Sequence, residues 1–367
     1  MTLELDAVSR VVGGETHIDA VSLRLEPGSF NVLLGLTLAG KTTLMRLMAG
    51  LDKPSSGRVR MNGVDVTDVP VRKRNVAMVY QQFINYPSLT VYDNIASPLR
   101  LAGLSKAEID RRVRAEAERL HIDHLLDRLP GELSGGQQQR TAIARALVRD
   151  AELVLLDEPL VNLDYKLREE LRADMRELFA RRRAVVVYAT TDPREALALG
   201  GNTAVLHQGR LLQYGPTLEV YHRPASTEVA YVFADPPMNT VDGTLTGPAI
   251  ELDDGTRLPS APHLSGLAAG RYRFGIRPSH LSVRRLSPAQ AEVPATVEIA
   301  EINGSETYLH VRHNGSAWVI QQEGILDFEL GATVTVYLDP ARLFAFDRQG
   351  RLLAAPTPPP PLPDLRA

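Results

Sequence analysis

One short run constrains this chain more than any other: Gly35-Leu36-Thr37-Leu38-Ala39-Gly40-Lys41-Thr42-Thr43, set directly behind the apolar segment Phe30–Leu34. It matches G-x-x-x-x-G-K-[ST] in the strand–loop–helix setting that this pattern requires. The glycines let backbone N–H groups turn inward on an anion, Lys41 neutralises phosphate oxygens, and Thr42 can offer its hydroxyl to Mg²⁺. The chain must therefore place a strand, a phosphate-binding turn and a helix in succession.

The surrounding pattern agrees. Phe30–Leu34, Val76–Val79, Leu153–Leu156, Ala184–Ala189 and Thr203–Leu206 read as strands alternating with helical periodicity. Two of them, Leu153–Leu156 and Val185–Val187, are continuously apolar, as expected of a sheet covered on both faces. The first of these runs into Asp157-Glu158, two carboxylates delivered at a strand end. Asp157 is expected to hold Mg²⁺, and Glu158 to polarise an attacking water. A phosphate loop combined with such a strand end defines an α/β P-loop NTPase.

Between Thr90 and Arg149 the pattern turns helical, which predicts a helical subdomain over about 85–150. Ser105 and Glu108 fit a capping box, followed by a stripe of Ile109, Val113, Ala117 and Leu120. Tyr165–Ala180 repeats the logic with Leu167, Leu171, Met175 and Leu178. At Asp235-Pro236-Pro237 the texture shifts to short alternating segments with turn pairs Asp254-Gly255 and Asn314-Gly315. Thr296–Ile299, Thr307–Val311, Trp318–Gln321 and Thr333–Tyr337 have the close strand spacing of a small barrel. The expected division is 1–235, 236–355 and a proline-rich tail 356–367, whose composition predicts an extended arm.

Charge narrows the partners. Lys plus Arg number 41 against 44 Asp plus Glu, so the chain as a whole offers no basic surface for nucleic acid. The basic run Arg181-Arg182-Arg183 ends an amphipathic stretch and suits a helix C-terminus. Without cysteine, thiolate metal sites and thiol catalysis are excluded. The opening residues lack the basic start and apolar core of a signal peptide, and no stretch approaches the roughly 18 apolar residues of a spanning helix. Any membrane role is expected to come through a partner.

Shortly before the acidic strand stands Leu133-Ser134-Gly135-Gly136-Gln137-Gln138-Gln139-Arg140, opening a helix with Ile143 and Leu147 on one face. Here the chain resembles the ATP-binding cassette (ABC) family. The resemblance implies that Ser134, Gly135, Gly136 and Gln137 act on ATP held by an opposite subunit, and small residues at a helix N-terminus suit an anion. It also implies that Gln81, in Met78-Val79-Tyr80-Gln81, joins Mg²⁺ and the attacking water to the helical subdomain. Tyr86-Pro87 and Thr90-Val91 resemble the segment that receives a permease helix, and Asn162-Leu163-Asp164 the D-loop. Gly275-Ile276-Arg277-Pro278, Gly304-Ser305-Glu306-Thr307-Tyr308 and Phe344-Ala345-Phe346-Asp347 resemble landmarks of the C-terminal all-β OB-type regulatory domain of sugar and polyol importer ATPases.

Several positions depart from that family. Val12 stands where an aromatic ring usually stacks on adenine, Val161 where the D-loop has Ser or Ala, and Leu38 where a small residue is usual. Thr191 replaces the switch histidine, and a threonine lacks an imidazole's reach and proton handling. These departures resemble one of the two unlike ATPase subunits of bacterial glycerol importers. The resemblance thus implies an ATP- and Mg²⁺-dependent subunit, peripheral at the cytoplasmic face of the inner membrane. Its implied partners are a second, unlike ATPase, two permease subunits and a periplasmic solute-binding protein, with a polyol or carbohydrate as solute. A scaffold whose own site turns over little, and which lends its signature to a competent partner, is the alternative.

Overall fold

The computed structural model describes residues 1–161, 165–180 and 183–358, with the backbone but not every side chain of 165–180. The expected D-loop Asn162-Leu163-Asp164, the pair Arg181-Arg182 and the end of the tail lie outside the described residues.

Strands β1 (Leu3–Val12) and β2 (Glu15–Leu25) form a hairpin that turns at Gly13-Gly14, where both φ values are positive, 59° and 88°. Strand β3 (Phe30–Leu34) leads through the phosphate loop into α1 (Lys41–Ala49). After β4 (Ser56–Met61), β5 (Val64–Asp65) and β6 (Val76–Val79) come α2 (Val91–Leu101), α3 (Lys106–Arg119) and α4 (Gly135–Leu147). Then follow β7 (Leu153–Asp157), α5 (Tyr165–Ala180), β8 (Val185–Thr190), α6 (Pro193–Leu199), β9 (Asn202–His207) and β10 (Arg210–Pro216). One sheet is antiparallel, β2-β1-β4-β5; the other has the order β10-β9-β3-β8-β7-β6 and is parallel from β9 to β6.

Every residue of β7 and β8 is buried, as their continuously apolar runs Leu153–Leu156 and Val185–Val187 lead one to expect of strands covered on both faces. Parallel strands put their carboxyl ends on one edge, the usual place for a ligand. Helix α1 buries Leu44, Met45, Leu47 and Met48 in the core shared with the antiparallel sheet. Roughly 1.5–3 kcal/mol for each such side chain comfortably exceeds the strain that the loop before it carries.

The helical segment forms as its stripe predicts, with Ile109, Val113, Ala117 and Leu120 buried. The Ser105 cap is half of the expected box. Its hydroxyl accepts from the Glu108 N–H at 3.3 Å, but the Glu108 carboxylate turns instead to Arg111 and Arg112, each at 2.6 Å. Two guanidinium groups outcompete a neutral backbone N–H, and they hold the Glu108 carboxyl down at about 2.

By contacts the chain divides after Thr217, not after Asp235 as the prolines suggest. Helices α7 (Thr217–His222) and α8 (Thr227–Val232) fold largely with the second unit. The reason is Arg277: its buried guanidinium lies 3.7 Å over the Tyr221 ring and donates to the Tyr221 and Phe233 carbonyls at 2.6 and 3.4 Å. Backbone bonds Thr227 N–H to Gly350 O and Leu352 N–H to Ala225 O add to the attachment.

The second unit otherwise runs β11 (Asn239–Leu245), β12 (Ala249–Leu252), β13 (Arg257–Pro259), β14 (Gly270–Ile276), β15 (Leu281–Ser282) and β16 (Ala291–Asn303). It closes with β17 (Glu306–His313), β18 (Ser316–Glu323), β19 (Thr333–Leu338), β20 (Phe344–Phe346) and β21 (Leu352–Ala354). Its two antiparallel sheets, β13-β12-β11-β14-β20-β21 and β15-β19-β16-β17-β18, enclose a core around Phe274, Trp318 and Ile320. Asn314 and Gly315 both take positive φ, 44° and 89°, which is the tight turn that an Asn-Gly pair between strands predicts.

Candidate nucleotide site

The phosphate loop is shaped by what cannot fit. A Cβ on Gly40, whose φ is +100°, would meet Ile18 Cδ1 at 2.8 Å and the His17 carbonyl at 2.9 Å. One on Gly35 would meet the Leu206 carbonyl at 2.7 Å. Leu38 is the anomaly: a leucine at φ 67° and 95% exposed, so its side chain gains no packing in return for left-handed backbone. Such backbone costs a side-chain-bearing residue about 1–2 kcal/mol. Leu38→Gly is therefore expected to raise the stability of the cassette by up to about 1 kcal/mol, once the extra chain entropy of glycine is subtracted. Leu38→Val should lower it, and urea midpoints of the three proteins check both signs.

Lys41 is 5% exposed and sits at the centre of the loop. Its ammonium donates to the Gly35 and Leu36 carbonyls at 2.8 and 3.2 Å and pairs with Glu158 Oε1 at 3.1 Å. Gln81, just past β6, donates through Nε2 to Glu158 Oε2 at 3.1 Å. Thr42 donates its hydroxyl to Asp157 Oδ2 at 2.8 Å. Asp157 is 3% exposed, and its Oδ1 is buried without a hydrogen-bond partner. Burial pushes the Asp157 carboxyl up against the Thr42 bond, and Glu158 beside it pushes the same way.

An orphaned carboxylate oxygen next to a threonine hydroxyl suits a hard cation that takes oxygen ligands. Among the described residues no group of three or more His, Cys, Asp or Glu could cage a metal. Mg²⁺ is a cation of that kind, which usually takes one or two carboxylates and completes its shell with phosphates and water.

Thr191 lies at the end of β8, half-buried, on a turn held from below. Thr190 Oγ1 donates to the buried Glu195 carboxylate at 2.6 Å, Tyr188 donates to the same oxygen at 3.0 Å, and the Asp192 N–H donates to Thr190 Oγ1 at 3.0 Å. The Thr190 carbonyl accepts from Gly35 N–H at 3.3 Å and the Ala189 carbonyl from Glu158 N–H at 3.1 Å. Burial pushes both the Glu195 carboxyl and the Tyr188 phenol up. Sequence reasoning missed Tyr188, Thr190 and Glu195; the available signal was the helix start Asp192-Pro193, which places Glu195 in the first turn.

The signature residues form a cap of their own. Ser134 Oγ accepts from Gln137 N–H at 3.4 Å, and Gln137 Oε1 accepts from Ser134 N–H at 3.0 Å, a reciprocal capping box. Ser134 and Gly135 are exposed, and among the described residues no hydrogen bond or ion pair joins Ser134–Gln137 to Gly35–Thr43. Val12, 47% exposed beside the Gly13-Gly14 turn, likewise has no contact of that kind with the loop. The structure thus brings Gly35–Thr43, Gln81, Asp157, Glu158 and Thr191 to one sheet edge and leaves the signature facing outward.

A phosphate loop facing strand-end carboxylates defines the class, a P-loop ATPase. Comparisons with known proteins narrow it. The ABC transporter model matches residues 18–161 and the TOBE domain model residues 274–346. The sn-glycerol-3-phosphate import ATP-binding protein UgpC of Salmonella typhi is 39% identical over 322 residues, 87% of this chain and 90% of that protein. The trehalose/maltose import ATP-binding protein MalK of Thermococcus litoralis is 39% identical over 357 residues, 93% of this chain and 96% of that one. Among solved structures, the dimeric post-hydrolysis cassette MJ0796 bound to ADP and Pi is 27% identical with a TM-score of 0.54, covering 59% of this chain and 98% of that one. The chain belongs to the ABC transporter family, among its ATP-binding proteins: an ATPase cassette followed by an OB-type TOBE domain, with hydrolysis coupled to transport.

Proposed function

We propose that this chain is the energy-coupling subunit of an importer for a polyol or carbohydrate, with a glycerol-type polyol as solute. It works peripherally at the cytoplasmic face of a bacterial inner membrane, through two permease subunits served by a periplasmic solute-binding protein. Relatives named for importing sn-glycerol-3-phosphate and trehalose/maltose support the solute class. Among the described residues no helix is long and apolar enough to cross a membrane, so a permease would supply the span.

The observation that carries the reading is the connected set Lys41–Glu158–Gln81 with Thr42–Asp157 beside it. In this reading the N–H groups of Gly35–Thr43 hold the phosphates, and Lys41 leaves Glu158 for a phosphate oxygen. Glu158 is then free to take the proton of a water that Gln81 orients, as that water attacks the terminal phosphorus and the bond to ADP breaks. Thr42, Asp157 and Gln81 would hold Mg²⁺, which when bound neutralises charge on the phosphates. Ser134, Gly135, Gly136 and Gln137 would close on the nucleotide of a second cassette, Val12 would border the base, and Thr191 would offer its hydroxyl to the terminal phosphate.

An unlike chain as the second cassette, the expectation from the departures at Thr191 and Val12, finds no support among the relatives. The solved neighbours are dimeric structures of one cassette, so we propose pairing with a second copy. Thr191 and Val12 keep the degenerate-site reading as the second possibility. Hydrolysis of MgATP by the complex that co-purifies with the tagged chain tests both. Turnover is expected, and Thr191→His should raise kcat by roughly ten- to hundredfold by restoring a contact to transition-state charge. No turnover in the parent, with turnover gained by Thr191→His, would favour the scaffold; none in either would end the energy-coupling reading.

A further inference from the structure

Strand β8 lies between β3, which runs into the phosphate loop, and β7, which runs into the carboxylate pair. The register sets Thr190 beside Leu34 and Ala189 beside Asp157. The chain therefore leaves the sheet at Thr191 with the phosphate loop on one side and Asp157-Glu158 on the other. Among the described residues no hydrogen bond holds the Thr191 side chain. A threonine hydroxyl stands one bond beyond Cβ, so the backbone and a single rotation decide where it goes. An imidazole has a second rotation and a longer reach with which to make good an offset.

The backbone of that turn is fixed from behind. Thr190 Oγ1 accepts from the Asp192 N–H at 3.0 Å, a bond that spans Thr191, and gives its own proton to Glu195 Oε2 at 2.6 Å. Tyr188, two residues back and so on the same face of the strand, donates to that oxygen at 3.0 Å. Glu195 is itself anchored at the start of α6, where Pro193 opens the helix and the Asp192 carboxylate accepts from Arg194 N–H at 2.8 Å. All three side chains that meet there are buried. Packing alone gives no reason for a carboxylate at such a place, because its desolvation is costly and an apolar side chain of similar volume is often neutral or stabilising. What the carboxylate adds is direction: it takes the Thr190 proton and leaves the Thr190 oxygen turned to the Asp192 N–H.

We infer that Glu195 is a positioning residue that acts through Thr190 and the Asp192 N–H to set where the Thr191 hydroxyl stands against the terminal phosphate. It touches no phosphate itself. The inference rests on the reading of Thr191 given above, and it carries its own ceiling. An effect that passes wholly through Thr191 cannot exceed what Thr191 contributes, about fivefold in rate for one neutral hydrogen bond.

Steady-state hydrolysis of MgATP by the complex that co-purifies with the tagged chain supplies the test, with Thr191→Ala marking the ceiling. Glu195→Gln keeps the shape and gives up the charge on the acceptor; Thr190→Val keeps the shape and gives up the hydroxyl. Each should lower kcat by about three- to fivefold. KM for MgATP should change by less than about twofold, as for a contact that matters in the transition state. Thr190→Ser, which keeps the hydroxyl, should restore most of the loss. Added to Thr191→Ala, either change should cost less than about a further twofold, because effects routed through one residue do not add. A role confined to holding the fold would multiply the losses instead. Where melting shows Glu195→Gln to be unfolded, Thr190→Val decides. Losses that multiply, or a kcat within about twofold of the parent in both single variants, overturn the inference. An unchanged kcat in Thr191→Ala overturns the Thr191 reading beneath it, and an inactive parent overturns the energy-coupling reading; either takes the inference with it.

Discussion

Lys41→Ala is expected to weaken MgATP binding by at least about a hundredfold, while Thr191→Ala weakens it by less than about tenfold. The difference follows from charge and burial. Lys41 is 5% exposed and brings a full positive charge to a site that already holds Asp157 and Glu158. Charge-assisted hydrogen bonds contribute about 1.5–3 kcal/mol each, and an ammonium here can make two or more to phosphate oxygens. Its loss also leaves the Glu158 carboxylate, still held by Gln81, without the Lys41 charge that offsets its repulsion of an incoming anion. Thr191 offers one neutral hydroxyl, about 1 kcal/mol. Titration of both variants with labelled ATP checks the ratio, and equal losses would mean that the phosphates lie elsewhere.

Gly136→Asp is expected to abolish coupled hydrolysis, because it sets a carboxylate at the N-terminus of α4, where a second cassette's phosphate would sit. Gly136 is itself buried, so a milder change such as Ser134→Ala is a useful companion. With two like copies each site contains a Glu158, and Glu158→Gln should then cost roughly 100- to 10,000-fold in kcat, the range for removing a general base. The two variants should be comparably inactive in steady-state assays of the complex. Substantial activity in Glu158→Gln with none in Gly136→Asp would point instead to two unequal sites, and would revive an unlike partner.

Residues whose role is set by local chemistry are legible in the amino-acid sequence itself. The phosphate loop, the apolar strand ending in Asp157-Glu158, the amphipathic stripe of α3 and the Asn314-Gly315 turn each follow from spacing and residue type, and each forms accordingly. Contacts between residues far apart in sequence are not legible in that way. Nothing in a linear pattern says that Glu108 prefers two arginines to its cap, or that Thr190 and Tyr188 converge on Glu195. Nor does it say that Leu38 stands in left-handed backbone, because the loop's closure and the packing of α1 impose that conformation from outside. The second-domain boundary is hidden for a similar reason: proline marks where a chain bends, whereas Arg277 decides what packs together.

That last contact bears on how such a chain can be taken apart and recombined. Val220, Val229, Ala230, Val232 and Phe233 are all buried, and the helices that carry them, with the turn just after α8, are anchored from the β14 side by Arg277. A transplant of the TOBE module onto another ATPase that begins at the prolines would strip it of two helices and leave a buried arginine without the Tyr221 and Phe233 carbonyls that it donates to. The donor ATPase would keep a frayed apolar appendage, prone to aggregation. The exchangeable piece begins near Leu218, and hybrid proteins spliced there should stay soluble where those spliced at Asp235 do not.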